Sequence, residues 1–181
     1  MATAKKAPVR NKASAKSKKT GSVTSTARMS TRLLKDKASA LAYARSPVRF
    51  LGIRRKGAPL RLATLVAAGL SPKTADVLAG NLEMPASEFT TKYIHIPKQT
   101  MARRKAKGKL NVDESDRVAR FARLLKQTTD MMEGDQDAAI RWLKSPQVLL
   151  DGQSPLEYAV TETGAAEVQQ LIGRVEYGVY S

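Results

Sequence analysis

The chain has 181 residues, with 32 Lys and Arg against 16 Asp and Glu, a formal net charge of +16 and a pI near 10.3. That size bounds the fold to one medium domain or two small ones, and that charge favours polyanionic partners such as nucleic acid or an anionic membrane surface. With no cysteine there is no disulfide framework, thiol nucleophile or thiolate metal site, and with no long apolar run neither a secretory segment nor a membrane span is expected.

The charge is unevenly placed. From Met1 to Arg28 every charged side chain is basic, whereas the stretch from Glu133 to Ser181 carries mostly acids, so the two ends suit different partners. The opening stretch is built from Ala, Lys, Ser and Thr and holds almost nothing large and apolar. It cannot bury enough surface to offset its chain entropy, so residues 1–57 are expected to be a basic, largely disordered arm. Such an arm is either a solubilising tail or a non-specific polyanion binder that releases counterions from DNA. Within it, Leu33, Leu34, Leu41 and Tyr43 recur at roughly helical spacing until Pro47, which predicts a short helix followed by an extended basic connector.

A compact region is expected over residues 58–132. "PLRLATLVAAGL" places Leu60, Ala63, Leu65, Val66 and Leu70 on a broad apolar face, with Gly69 near its stop. "SPKTADVLAGNL" opens with Ser71 as N-cap and Pro72 at the first helical position, and "PASEFTTKYI" repeats the proline-led start. "IHIP" reads as a turn. "PKQTMARRKAKG" then has Pro97 at its start and Gly108 just past its end, with Met101 and Ala102 expected to face inward. In the next helix Val118, Phe121, Leu125 and Met132 recur at helical spacing, with Asp113 as a plausible cap.

Glycine and acids from Glu133 to Asp137 mark a hinge. Beyond it "DAAIRWLKS" is one helix, with Ala139, Trp142 and Leu143 on its buried side, and "PQVLLDGQ" is a turn-containing connector. In "SPLE", Ser154, Pro155 and Glu157 form a full capping box, and a last helix carries Val168, Leu171, Ile172 and Val175 before Gly178 stops it. A three-helix unit of this size is marginal alone, so its apolar surface is expected to seek another chain. No stretch alternates with period two. The fold class is all-α.

The inventory for catalysis is poor. His95 is the single histidine, set between Ile94 and Ile96, and a base needs a partner and a pocket. No phosphate-binding glycine loop, carboxylate pair or metal-ligand cluster is present, so no enzyme activity, metal or cofactor is expected. The basic cluster says more. "ASEFTTKY", the "IHIP" turn and the following helix have the layout of a helix-turn-helix, in which the second helix enters the major groove. Gln99 is placed to read adenine and Arg103 guanine, while Lys98, Thr100 and Lys105 are placed to hold phosphates. The competing arrangement pairs Arg103 or Arg104 with Glu114 or Asp116. Adjacent arginines point about 100° apart on a helix, so one can pair internally while the other meets DNA. Lys98, Gln99, Thr100, Arg103, Arg104 and Lys105 are the candidate DNA-binding residues.

These residues, in this order, resemble the Xre/MbcA/ParS antitoxins. The family pattern has an isoleucine-bounded turn, a threonine followed by paired arginines, then Glu-Ser-Asp-Arg and a further arginine. Here those are Thr100, Arg103, Arg104, Glu114, Ser115, Asp116, Arg117 and Arg120. Its toxin-binding region has a Trp-Leu, a glycine before Ser/Thr-Pro-Leu, a Thr-x-x-Gly and a terminal Arg-x-x-x-Gly-Val. These fall on Trp142, Leu143, Gly152, Pro155, Leu156, Thr161, Gly164, Arg174, Gly178 and Val179. Two departures are visible: "DGQ" stands where the family usually has paired glycines, and the basic segment before residue 58 is longer than the pattern.

The resemblance implies a type II antitoxin paired with a NAD-consuming RES-domain toxin, in the bacterial cytoplasm or on the nucleoid when DNA-bound. It implies that residues 133–181 cover the toxin while the helix-turn-helix binds and represses the operon's own promoter. The residues expected to meet the toxin are Trp142, Leu156, Arg174, Glu176, Tyr177, Gly178, Val179 and Tyr180. The assembly expected is a homodimer within a toxin–antitoxin hetero-oligomer. The rival reading is a nucleoid or RNA-binding architectural protein that binds without sequence preference through its lysine-rich arm.

Overall fold

Prolines, glycines and short polar caps set the helix boundaries in a computed structural model that describes residues 39–53, 61–176 and 178. All regular structure among the described residues is helical. Residues 39–44 are helical, and after Ser46 a 3-10 turn runs over Pro47–Leu51. The helices that follow are α1 (Leu62–Ala68), α2 (Lys73–Asn81), α3 (Ala86–Glu88, continued by a π turn over Phe89–Tyr93), α4 (Lys98–Lys107) and α5 (Val112–Met131). Beyond the turn at residues 132–135 come α6 (Gln136–Lys144), a 3-10 turn over Val148–Leu150, α7 (Pro155–Tyr158) and α8 (Glu162–Glu176). The arm expected to be disordered, the connector from Arg54 onward and Leu60 lie outside the described residues.

α5 is the spine. Its 20 residues span about 30 Å, and Val118, Phe121, Leu124 and Leu125 are all buried along it. α5 packs against the 3-10 turn, α1 and α2 before it in the chain and against α6 and α8 after it. A single contiguous core therefore runs from Phe50 and Leu78 to Ile140, Leu156 and Val168.

Two expectations change here. The segment after Pro47 is not an extended connector: Val48, Phe50 and Leu51 are buried, and Asn81 Nδ2 donates to the Phe50 carbonyl at 2.8 Å. Its apolar content is too short to show a period, which hid it. The C-terminal helices also do not wait for another chain to cover their apolar face, because α5 covers it from within this one.

The caps follow the sequence with two shifts. Ser154 and Glu157 form the expected capping box at α7. At α5 the cap is Asn111, not Asp113: its side chain accepts from Glu114 N while the Glu114 carboxylate accepts from Asn111 N. Asn-x-x-Glu at residues 111–114 was the signal for it. Ser71 does not cap α2 through its hydroxyl; its carbonyl instead accepts from Thr74 Oγ1 at 2.7 Å. α1 buries no residue fully: Ala63 is exposed, Leu65 and Val66 half-buried.

Candidate nucleic-acid and partner-binding surfaces

The candidate DNA-binding unit is built from α3, the turn at residues 94–97 and α4. Phe89 and Tyr93 close on Phe121 of α5 edge to face, with ring centroids 5.5 and 5.9 Å away, and fix α3 to the spine. The π turn ends where Ile94 N donates to Phe89 O, and Ile96 N reaches back to Thr90 O at 2.7 Å. Ile94 and Ile96 are buried on either side of the exposed His95, whose φ of 50° puts it in the left-handed region. That conformation reverses the chain within one residue, and histidine tolerates it better than a branched side chain. Arg117 pins the turn by donating from Nη1 to Ile94 O at 3.0 Å.

Across this turn α4 is held by one buried residue, Met101. Apart from the half-buried Thr100 and Arg104, its other residues are exposed. Lys98, Gln99 and Arg103 are exposed and Thr100 is half-buried. Ala102, expected inside, is exposed and shares a face with Gln99, Arg103 and Ala106.

The two arginines separate. Arg104 Nε donates to both Glu114 oxygens, at 2.7 and 3.0 Å, and is mostly buried, while Arg103 points to solvent. Burial alone would raise the Glu114 carboxyl, but the hydrogen bonds from Arg104 and the Asn111 amide outweigh it and hold the group below its ordinary value. Lys105 is drawn back to Asp76 of α2 at 3.0 Å. Among the six candidates, then, Arg104 braces α4 while Lys98, Gln99, Thr100 and Arg103 present its outer surface, and Lys105 is an exposed side chain in a surface ion pair with Asp76.

The Glu-Ser-Asp-Arg stretch proves to be scaffold. Ser115 is buried; its Oγ accepts from Leu70 N at 2.9 Å and donates to Asn111 O at 2.6 Å. Arg120 is buried too and crosses to the C-terminal half, donating to Val160 O at 2.7 Å and to Glu162 at 2.9 Å. Lys92 meets Glu157 at 2.9 Å, Lys144 donates to Glu83 O at 3.0 Å and Gln136 Nε2 donates to Asn81 O at 3.4 Å, so polar ties join the halves at several places. The hydrogen bond from Lys92, with those from Ser154, holds the Glu157 carboxyl down at about 2.

The C-terminal candidates divide by exposure. Leu156 is buried in the core and presents no surface, a correction to its expected place on the partner face. Trp142 is half-buried against that core. Arg174 and Glu176 are exposed on the last turn of α8, and Gly178, at φ 66°, follows them. Tyr177, Val179 and Tyr180 lie outside the described residues. Thr161-x-x-Gly164 is local architecture: Thr161 Oγ1 accepts from Gly164 N at 3.0 Å, and a Cβ on Gly164 would stand 2.0 Å from the Tyr158 carbonyl oxygen. Sequence reasoning passed over Val148 and Leu149, which stand exposed at the tip of the loop before α7.

Comparison with known proteins matches both halves. Residues 54–123 match the antitoxin Xre-like helix-turn-helix domain, and residues 127–178 match the antitoxin Xre/MbcA/ParS C-terminal toxin-binding domain. The chain belongs to the Xre/MbcA/ParS antitoxin family. It is 42% identical over 87 residues to Antitoxin Xre of Yersinia enterocolitica, a match covering 48% of this chain and 59% of the relative. It is 44% identical over 75 residues to Antitoxin Xre of Photorhabdus laumondii, covering 41% of this chain and 51% of the relative. An Antitoxin Xre of Pseudomonas putida is 30% identical over 84 residues, 46% of this chain and 52% of the relative. The chain thus spans between half and three-fifths of the length of the curated relatives it matches. No described helix is long and apolar enough to cross a membrane.

Proposed function

We propose that this protein is the antitoxin of a type II toxin–antitoxin system and acts by binding, not by catalysis. Residues 58–132 bind operator DNA and repress the operon, and residues 133–181 bind and neutralise a NAD-consuming RES-domain toxin in the bacterial cytoplasm. The division is one of labour, since the two halves share a core. The arrangement that supports it best is the split pair of arginines. Arg104 locks α4 to the cap of α5, which leaves Arg103 and Gln99, one helical turn apart, on an outer face otherwise lined by alanine. Small residues between long donors let a helix approach base edges closely, and exposed alanine suits a thymine methyl. Lys98 and Thr100 take phosphates beside them.

On the toxin side Trp142, Arg174 and Glu176, with Tyr177 to Tyr180, form the contact region, and a guanidinium at Arg174 suits the carboxylate- or phosphate-recognising groups of an NAD cleft. The functional unit is a homodimer within the toxin–antitoxin hetero-oligomer.

The test is co-expression of the full chain with the protein encoded beside it, followed by purification, NAD turnover and binding to the operon's own promoter. A stable complex that silences NAD loss and selects promoter over random DNA is the expected result. Equal affinity for every duplex, with no co-purifying partner, would instead favour a sequence-blind architectural protein.

A further inference from the structure

The two most exposed large apolar side chains among the described residues are neighbours: Val148 at 93% and Leu149 at 63%. Single exposed apolar residues are ordinary. This pair differs in being adjacent and in being held out by a braced loop. Gln147 N donates to Gln153 O at 3.0 Å and closes the stem, while Leu150 N and Gly152 N both donate to Gln147 O. Asp151 and Gly152, at φ 53° and 76°, turn the chain back. Leu150 is buried beneath the tip, and Ser154, Pro155 and Leu156 are buried just beyond the stem. The loop is thus tied at its neck and anchored from below, so presenting its tip to a partner carries little ordering cost.

The chemistry of the tip selects its occupant. Two aliphatic side chains offer nothing to a phosphate, so the tip is not part of the DNA surface, and a single 3-10 turn has no amphipathic length for a lipid interface. The loop lies inside residues 127–178, the region matched to the family's toxin-binding domain. We infer that Val148 and Leu149 form a rigid apolar knob that seats in a complementary apolar pocket of the toxin protein bound by the C-terminal half. This rests on the antitoxin reading above and adds the anchor of that interface.

The experiment uses the full chain with the protein encoded beside it, comparing wild type with V148D/L149D and with the milder V148S/L149S. Burying a valine and a leucine accounts for about 100-fold in affinity, so the aspartate pair is expected to weaken the complex by about that factor and the serine pair by somewhat less. Both variants are expected to keep the wild-type Tm within about 2 °C, as surface changes do, and to keep promoter affinity. Wild-type toxin affinity in both folded variants would overturn the knob while leaving the antitoxin reading intact. A wild-type chain that binds promoter but never the neighbouring protein would overturn both. Variants that lose self-association but keep the toxin would assign the tip to a second copy of this chain and overturn the inference.

Discussion

Arg104 Nε lies 2.7 Å from Glu114 Oε2, and the same carboxylate accepts the amide of Asn111. One carboxylate thereby closes the cap of α5 and fastens the outer half of α4. The Glu114 side chain is only 6% exposed, so losing its cation leaves a poorly hydrated, unpaired charge. Arg104→Ala removes two hydrogen bonds to a charged group and is expected to destabilise the fold by about 2 kcal/mol, read by urea unfolding. A loss near zero would mean that the pair does not brace α4.

Arg103 is the complementary case. Arg103→Ala should leave stability within about 0.5 kcal/mol while costing about 1 to 3 kcal/mol of promoter affinity and flattening base preference at one position. Deleting residues 2–28 should weaken promoter and random DNA alike and lower the salt slope of binding. Competition binding at several salt concentrations separates the two. Equal losses on promoter and random DNA for the Arg103 variant would count against base reading.

Gly164 and Gly173 both lie in α8, yet they predict opposite signs. A methyl at Gly173 meets nothing within 4 Å, so Gly173→Ala should stabilise by about 0.5 to 1 kcal/mol through helix propensity. A methyl at Gly164 would overlap the Tyr158 carbonyl oxygen at 2.0 Å and force α7 and α8 apart. A loss of about 2 kcal/mol or more is expected there. Thermal unfolding of the two variants side by side reads the contrast, and a neutral Gly164→Ala would show that α7 shifts freely.

Acid should loosen the joint between the halves. The Glu157 carboxyl, held by Lys92 and Ser154, titrates at about 2 against an ordinary 4.5, so the folded state binds its proton less readily than the unfolded one. Its contribution is complete above pH 4.5 and is lost as pH falls towards 2. Glu114, also held below its ordinary value, adds to the same trend. Glu157→Gln should therefore flatten the fall of unfolding free energy across that window without steepening it elsewhere. An unchanged pH profile would detach Glu157 from acid stability.

Much of the fold is legible because its signals are local. Ser154 and Glu157 fix the start of α7 within four residues, Pro97 and Gly108 bracket α4, and the period of Val118, Phe121 and Leu125 marks the buried side of α5. The helix-turn-helix follows from the same kind of reading, down to His95 in its turn.

Other features depend on residues far apart in the chain, and only the tertiary structure decides them. Arg103 and Arg104 are equivalent as letters; the position of Glu114 on the neighbouring helix makes one a brace and the other a free donor. Phe50 and Leu51 belong to the core because Asn81 and α5 receive them, which no short-range period announces. Leu149 and Leu156 are the same residue type seven positions apart, one held out at a loop tip and one buried in the core. Sequence by itself determines which segments can be helical, since caps and periods act over a few residues. Which side chains remain at the surface is set by packing between distant segments, and burial is a property of the assembled core alone.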